Sequence, residues 1–163
     1  MAYIFLRIGT DPTDWVHEST DPDSVAAQLG QATSPVVLPI VHPLPGNLVV
    51  SPSAAATISV ARPSPPRGWH PSHGWHPSHG WHPSHIVLPR WPILYLPSPA
   101  SPTQDSPGYP LEPDTDLAAL ERYIIAAMSE GTVLSIQVAD IQGGVVLLNG
   151  ATLGFAVLAQ VQA

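Results

Sequence analysis

Residues 68–85 read GWHPSHGWHPSHGWHPSH, one hexapeptide three times over, and they hold six of the eight histidines in this 163-residue chain. His70, His73, His76, His79, His82 and His85 fall at every third position. Trp69, Trp75 and Trp81 alternate with serines on a second phase, and prolines alternate with glycines on the third. A period of three matches the three residues per turn of a polyproline II helix, which would carry all six imidazoles along one edge. Neutral imidazole is a good ligand for Zn, Cu and Ni. At ~3.1 Å per residue, successive rings stand about 9 Å apart, so two of them converge on one ion only by leaning inward. Turns at Gly74 and Gly80 would shorten that gap, because glycine adopts backbone angles closed to other residues. The repeat lacks carboxylates to orient the rings, so a metal site there would be loose.

The units His73-Gly74-Trp75 and His79-Gly80-Trp81 resemble the copper-binding octarepeats of prion proteins. The resemblance stops at these triplets, since the intervening residues differ, and no function is carried over. Two further readings stand beside metal binding. The perfect repeat fits a linker lengthened by slippage of tandem DNA, and low-complexity histidine tracts are compositional evidence only. The tryptophan ladder on an extended, Pro-rich segment also suits docking to a protein partner.

A second concentration of chemistry lies in the loop 10–23, TDPTDWVHESTDPD, where Asp11, Asp14, Glu18, Asp21 and Asp23 surround His17. A calcium loop needs a sharp glycine turn between its oxygen ligands, and no glycine occurs in this run. Turn formation and helix capping account for these acids. A small hydrolase using acids of the stretch 11–23 is the third and lowest reading, because no acid has a poised partner. The chain has no G-x-S-x-G elbow, no G-x-G-x-x-G and no lysine for a phosphate loop. Trp15 and Trp91 are expected to pack on the core, and His42 to sit in a loop.

Composition bounds the classes. Five scattered arginines form no basic stripe, and the formal charge is −7, so no nucleic-acid partner is expected. The lack of lysine beside abundant Ala, Pro, Gly and Val suggests a GC-rich, bacterial coding genome. Zero cysteine excludes disulfides and thiolate sites. No apolar run approaches the ~20 residues of a membrane span, and the N-terminus lacks a charged signal-peptide region, so the expectation is a cytoplasmic protein without a membrane partner. Protonating all eight histidines would move the formal charge from −7 to +1, favouring self-association near pH 6.

The elements that must carry these residues repeat as well. Residues 36–61 align without a gap on 134–159, an offset of 98 that takes Leu38 to Ile136, Gly46 to Gly144 and Val60 to Leu158. Each half opens with an apolar run, at 3–8 and at 93–96, and passes through an acidic, Pro-rich loop. A short helix follows. In the first half Asp21 caps it with Pro22 at its first position, Val25, Ala26 and Leu29 form the stripe, and Gly30 ends it. In the second half Asp114 or Thr115 caps it, Leu117, Leu120, Ile124 and Met128 share one face, and Gly131 ends it. Three strands then follow, at 36–41, 47–50 and 55–61 and at 132–139, 144–148 and 152–160. Asn149-Gly150 signals a tight hairpin between the last two, and Pro39 demands an edge strand.

The expectation is an α+β, β-rich fold of two duplicated β-α-β-β-β halves, 1–61 and 86–163, packed as a pseudo-two-fold unit, with 62–85 as a repeat linker. Charged residues make up only 10% of the chain, leaving apolar surface of the kind that marks interfaces. The favoured function is a non-enzymatic structural protein that self-assembles into a homo-oligomer or docks a protein partner. The alternative is metal binding or buffering with Zn, Cu or Ni as the divalent ion.

Replacing the six repeat histidines by alanine is expected to abolish the heats of Zn²⁺, Cu²⁺ and Ni²⁺ titration at pH 7.4 while leaving the far-UV circular dichroism unchanged. Equal, ill-defined heats from both proteins would remove the repeat as a metal site.

Overall fold

A strand that is apolar at every position, rather than at every second one, must be covered on both faces. Pro92–Tyr95 is such a strand, buried at all four residues, and Phe155–Gln160 is buried at its first five. In the computed structural model, which describes residues 3–9, 15–18, 21–41, 44–55, 57–61, 92–97, 108–139 and 145–160, these two strands lie side by side in the middle of the molecule.

The described elements are β1 (Tyr3–Ile8), β2 (Trp15–Glu18), α1 (Pro22–Gln31), β3 (Val36–Ile40), β4 (Gly46–Val50), β5 (Ile58–Ala61), β6 (Pro92–Tyr95), β7 (Gly108–Pro110), α2 (Leu117–Glu130), β8 (Val133–Gln137), β9 (Val145–Asn149) and β10 (Phe155–Gln160). They form three antiparallel sheets with orders β2-β1-β5, β3-β4-β10-β6-β7 and β8-β9. The fold class is α+β and β-rich. None of the described helices is long and apolar enough to cross a membrane.

Strand alternation divides the interior into two cores about the five-stranded sheet. Leu48 and Val50 of β4, Ile93 and Tyr95 of β6, and Phe155, Val157 and Ala159 of β10 point into the first core. There they meet Ile4, Leu6 and Ile8 of β1 and Val25 and Leu29 of α1. The intervening residues Val49, Leu94, Ala156 and Leu158 point into the second core, against Ile124 and Met128 of α2, Ile136 of β8 and Leu148 of β9. Each fully buried aliphatic side chain contributes about 1.5–3 kcal/mol relative to exposure.

Local signals hold for the helices. Asp21 caps α1 with Pro22 at the first position, its Oδ1 accepting from the amides of Asp23 and Ser24. Gly131 ends α2 at φ +69°, the left-handed conformation that favours glycine. Two boundaries and one facing differ from the expectation. The α2 cap is Asp116, whose side chain accepts from Ala119 N–H, rather than Asp114 or Thr115. Helix α1 runs past Gly30 to Gln31 and stops at Ala32. Ala26, expected on the apolar stripe, is exposed. Pro39 lies in β3, at the edge of its sheet, as its missing N–H requires.

Two corrections concern pairing. The Pro-rich loops contain the short strands β2 and β7, so the described order is β-β-α-β-β-β in each half. Asn149-Gly150 does not close a hairpin: β9 pairs with β8, and β10 with β4 and β6. Asn149 instead makes a local turn, its Oδ1 accepting from Ala151 N–H and its carbonyl from Thr152 N–H. Gly150 is needed for space, since a Cβ there would overlap the Ala127 carbonyl.

Pairing in the two halves runs in parallel. The register Leu38↔Leu48 becomes Ile136↔Val146 on adding 98. Val41 N–H donates to Val16 O at 2.7 Å, tying the end of β3 to β2, and Ala139 N–H donates to Pro110 O at 2.7 Å, tying the end of β8 to β7. In each half the first strand lies between the short strand and the last one. One pairing has no counterpart among the described residues: β4 joins β10, whereas β9 pairs only with β8 and β5 only with β1. The halves therefore share a sheet rather than packing face to face as separate units. Residues 62–85, the expected linker, lie outside the described residues.

The β4–β10 approach is close at Gly46, where a Cβ would overlap the Leu158 carbonyl oxygen and Ala159 Cα. Gly46→Val is therefore expected to cost about 1–3 kcal/mol, as overpacking does, read as a lower urea midpoint. An unchanged midpoint would show that the strands separate without penalty.

Candidate functional site

The six repeat histidines, His70, His73, His76, His79, His82 and His85, lie outside the described residues, as do Asp11, Asp14, His42 and Trp91. The described members of the acidic stretch are used locally. Asp21 caps α1, Asp23 lies in its first turn and Glu18 is exposed at the end of β2. His17 donates from Nδ1 to the Pro39 carbonyl at 2.6 Å, which requires the tautomer protonated on that nitrogen. No group of three His, Asp or Glu suited to a metal ion occurs among the described residues.

Trp15 is fully buried. Its ring meets Tyr95 edge-on at 5.4 Å between centroids and Phe155 at 5.7 Å, arrangements that aromatic quadrupoles favour. Trp15 comes from the first half and its two neighbours from the second, so this trio pins the halves together. Burial raises the Tyr95 hydroxyl well above its ordinary pKa. No member of the trio lines any of the three grooves described next.

The surface features are grooves and open edges. A groove of about 410 Å³ runs between α2 and the β4–β10 seam, and Asn47 Nδ2 donates across it to Glu121 Oε1 at 2.9 Å. A second, also about 410 Å³, lies between α1 and β5 and is lined by Ala26, Leu29, Ile58 and Val60. A third, of about 440 Å³, is lined by Glu112, Asp114, Tyr123 and Leu134; Thr115 Oγ1 donates to the Glu112 carbonyl there, as a turn does.

Among the described residues, three of the four exposed large apolar side chains lie on the β8–β9 pair, the fourth being Tyr123 of α2. Its inner residues Ile136 and Leu148 are buried, while Val133, Val145 and Leu147 on the other face are 64%, 55% and 68% exposed. Ser135 and Gln137 stand opposite Leu147 and Val145. Sequence reasoning placed a strand at 144–148 without separating its faces. The signal was present: Val145 and Leu147 make the strand apolar on both sides, more than one buried face requires.

The chain matches no protein-family model, no curated protein and no solved structure. What it does must therefore be argued from its own surfaces.

The raised Tyr95 pKa sets an alkaline limit on stability. The unfolded chain loses this proton near pH 10 while the folded one keeps it, so stability holds below pH 10 and falls above it. The slope approaches about 1.4 kcal/mol per pH unit for one such group. Tyr95→Phe is expected to flatten the decline in urea unfolding between pH 9 and 11, relative to the wild type. Identical slopes would mean that Tyr95 ionises in the folded state.

Proposed function

We propose that this chain is a non-enzymatic structural or interaction protein that assembles with copies of itself, built on a duplicated β-β-α-β-β-β unit. The observation that carries the assembly reading is the pair of strand edges, β5 and β9, left unpaired among the described residues, together with the exposed Val133, Val145 and Leu147. Open edges and apolar patches both invite association, and proteins that remain monomeric usually cover or charge them. Strand β9 has no charged residue from Val145 to Asn149, and among the described residues it pairs only with β8. The duplication is supported by the shared 98-residue register of the two hairpins and the matching bonds from Val41 and Ala139. A pseudo-two-fold relation between the halves belongs to the same proposal.

The hydrolase reading ranks lowest: the described acids of the stretch serve a cap, a first turn and a strand end, and Asp11 and Asp14 lie outside the described residues. Metal binding remains the second reading, favoured by the histidine period of three in 70–85, and it would be an added property of an assembled protein. The cytoplasm is the proposed location, in keeping with the absence of cysteine.

Sedimentation velocity across a micromolar concentration series is expected to show a discrete species larger than the monomer. A lone monomer at the highest concentrations would overturn the assembly reading.

A further inference from the structure

We propose that β9 of one chain adds to the open edge of β5 in a second copy, setting Leu147 opposite Ile58 and Val145 opposite Val60. The inference rests on the duplication and self-assembly just argued, and it names the seam through which copies join.

The chain contains a built example of this seam. Strand β4 pairs antiparallel with β10, Val49 opposite Ala156 and Asn47 opposite Leu158. The 98-residue offset carries β4 onto β9 and carries β5 onto β10. Val49 thus corresponds to Leu147, Asn47 to Val145, Ala156 to Ile58 and Leu158 to Val60. Val49 is fully buried in its seam, whereas Leu147 is 68% exposed. The same position has an apolar side chain in both halves, and only one of the two is covered.

The groove that would receive β9 has changed in step with it. At the existing seam Asn47 reaches Glu121 of α2. The residues of α1 that line the corresponding groove are Ala26 and Leu29. Where β4 and α2 share a polar pair, β9 and α1 would share Val145 and Ala26. Ala26, Leu29, Ile58 and Val60 already line the open groove beside α1, of about 410 Å³. Apolar pairs directly opposite each other on antiparallel strands stabilise a sheet, and strand addition supplies main-chain hydrogen bonds along the edge.

The far side of this seam needs no further layer. Phe155 and Val157 of β10 are buried against the first core, but their counterparts Thr57 and Ser59 are exposed polar residues. The chain's own β9 cannot reach β5. Ile58 and Val60 pack on the first core and Val146 and Leu148 on the second, with the five-stranded sheet between them. A second copy has no such barrier. Among its described residues each chain offers this one donor strand and this one acceptor edge, and two copies would satisfy both reciprocally in a closed dimer.

The full chain has no cysteine, which allows a direct test. Ile58→Cys and Leu147→Cys proteins are mixed and oxidised, then run without reductant. The mixture is expected to yield about tenfold more disulfide-linked dimer than either variant alone, because directly opposed cross-strand positions lie within disulfide reach. Leu147→Asp, and separately Val145→Lys, should convert the wild-type oligomer to monomer with unchanged circular dichroism. Should the oligomer persist in both charge variants with no mixed disulfide, this seam is overturned while self-assembly stands. A double Ile58→Cys, Leu147→Cys protein that closes only within itself overturns the second-copy assignment. A wild type that is monomeric throughout overturns both the seam and the assembly reading.

Discussion

The pairing of β4 with β10 is the constraint on which the rest of this molecule depends. It is a main-chain ladder placed where both faces are buried, so each of its polar groups must be satisfied within the sheet. Separating the strands would leave donors and acceptors unpaired in apolar surroundings, which costs more than forming such bonds contributes. Gly46 permits the approach, with the Leu158 carbonyl occupying the space of a side chain. Through this seam a hairpin from the first half completes the sheet of the second, and both cores are walled by the result.

Once the halves share a sheet, something must decide which three-stranded unit takes the middle. The register pairs Arg7 of β1 with Ser59 of β5, and Tyr95 of β6 with Val157 of β10, so Arg7 and Ser59 hold the places in one half that Tyr95 and Val157 hold in the other. Arg7 and Ser59 are exposed, and Tyr95 and Val157 are buried. Burying a charge and a hydroxyl without partners is costly, while burying an aromatic ring and a valine is favourable. The second half therefore lies inside, and the back of the β2-β1-β5 sheet faces water at Arg7 and Ser59. The same asymmetry leaves β5 and β9 open where β10 and β4 are joined.

Much of the local structure was legible in the chain. Asp21-Pro22 and Gly131 mark helix ends because capping is a matter of a few adjacent residues. Pro39 marks an edge strand because the missing N–H is intrinsic. The hairpin at Asn149-Gly150 misled because its side chain can satisfy an Asx turn as well as a two-residue loop, and the strands on either side find better partners elsewhere. Strands β2 and β7, of four and three residues, are too short to show a period. Of the candidate site residues, the most conspicuous, His70 to His85, fall outside the described residues. The apolar outer face of β9 was written in the alternation of Val145 and Leu147 but could not be told from core.

The residues alone placed the two helices, the Asp21 cap, the Gly131 stop, the longer strand runs, the ungapped 98-residue alignment and the scarcity of charge. All of these are set by neighbours within a turn or a pleat, or by counting. Only the tertiary structure decided that β4 reaches across to β10, that the halves share a sheet, and that Val49 is covered while Leu147 is left bare. The reason is that an apolar strand offers the same pattern to any edge of the right polarity. Which edge it takes depends on the faces left to be buried after the whole chain has folded.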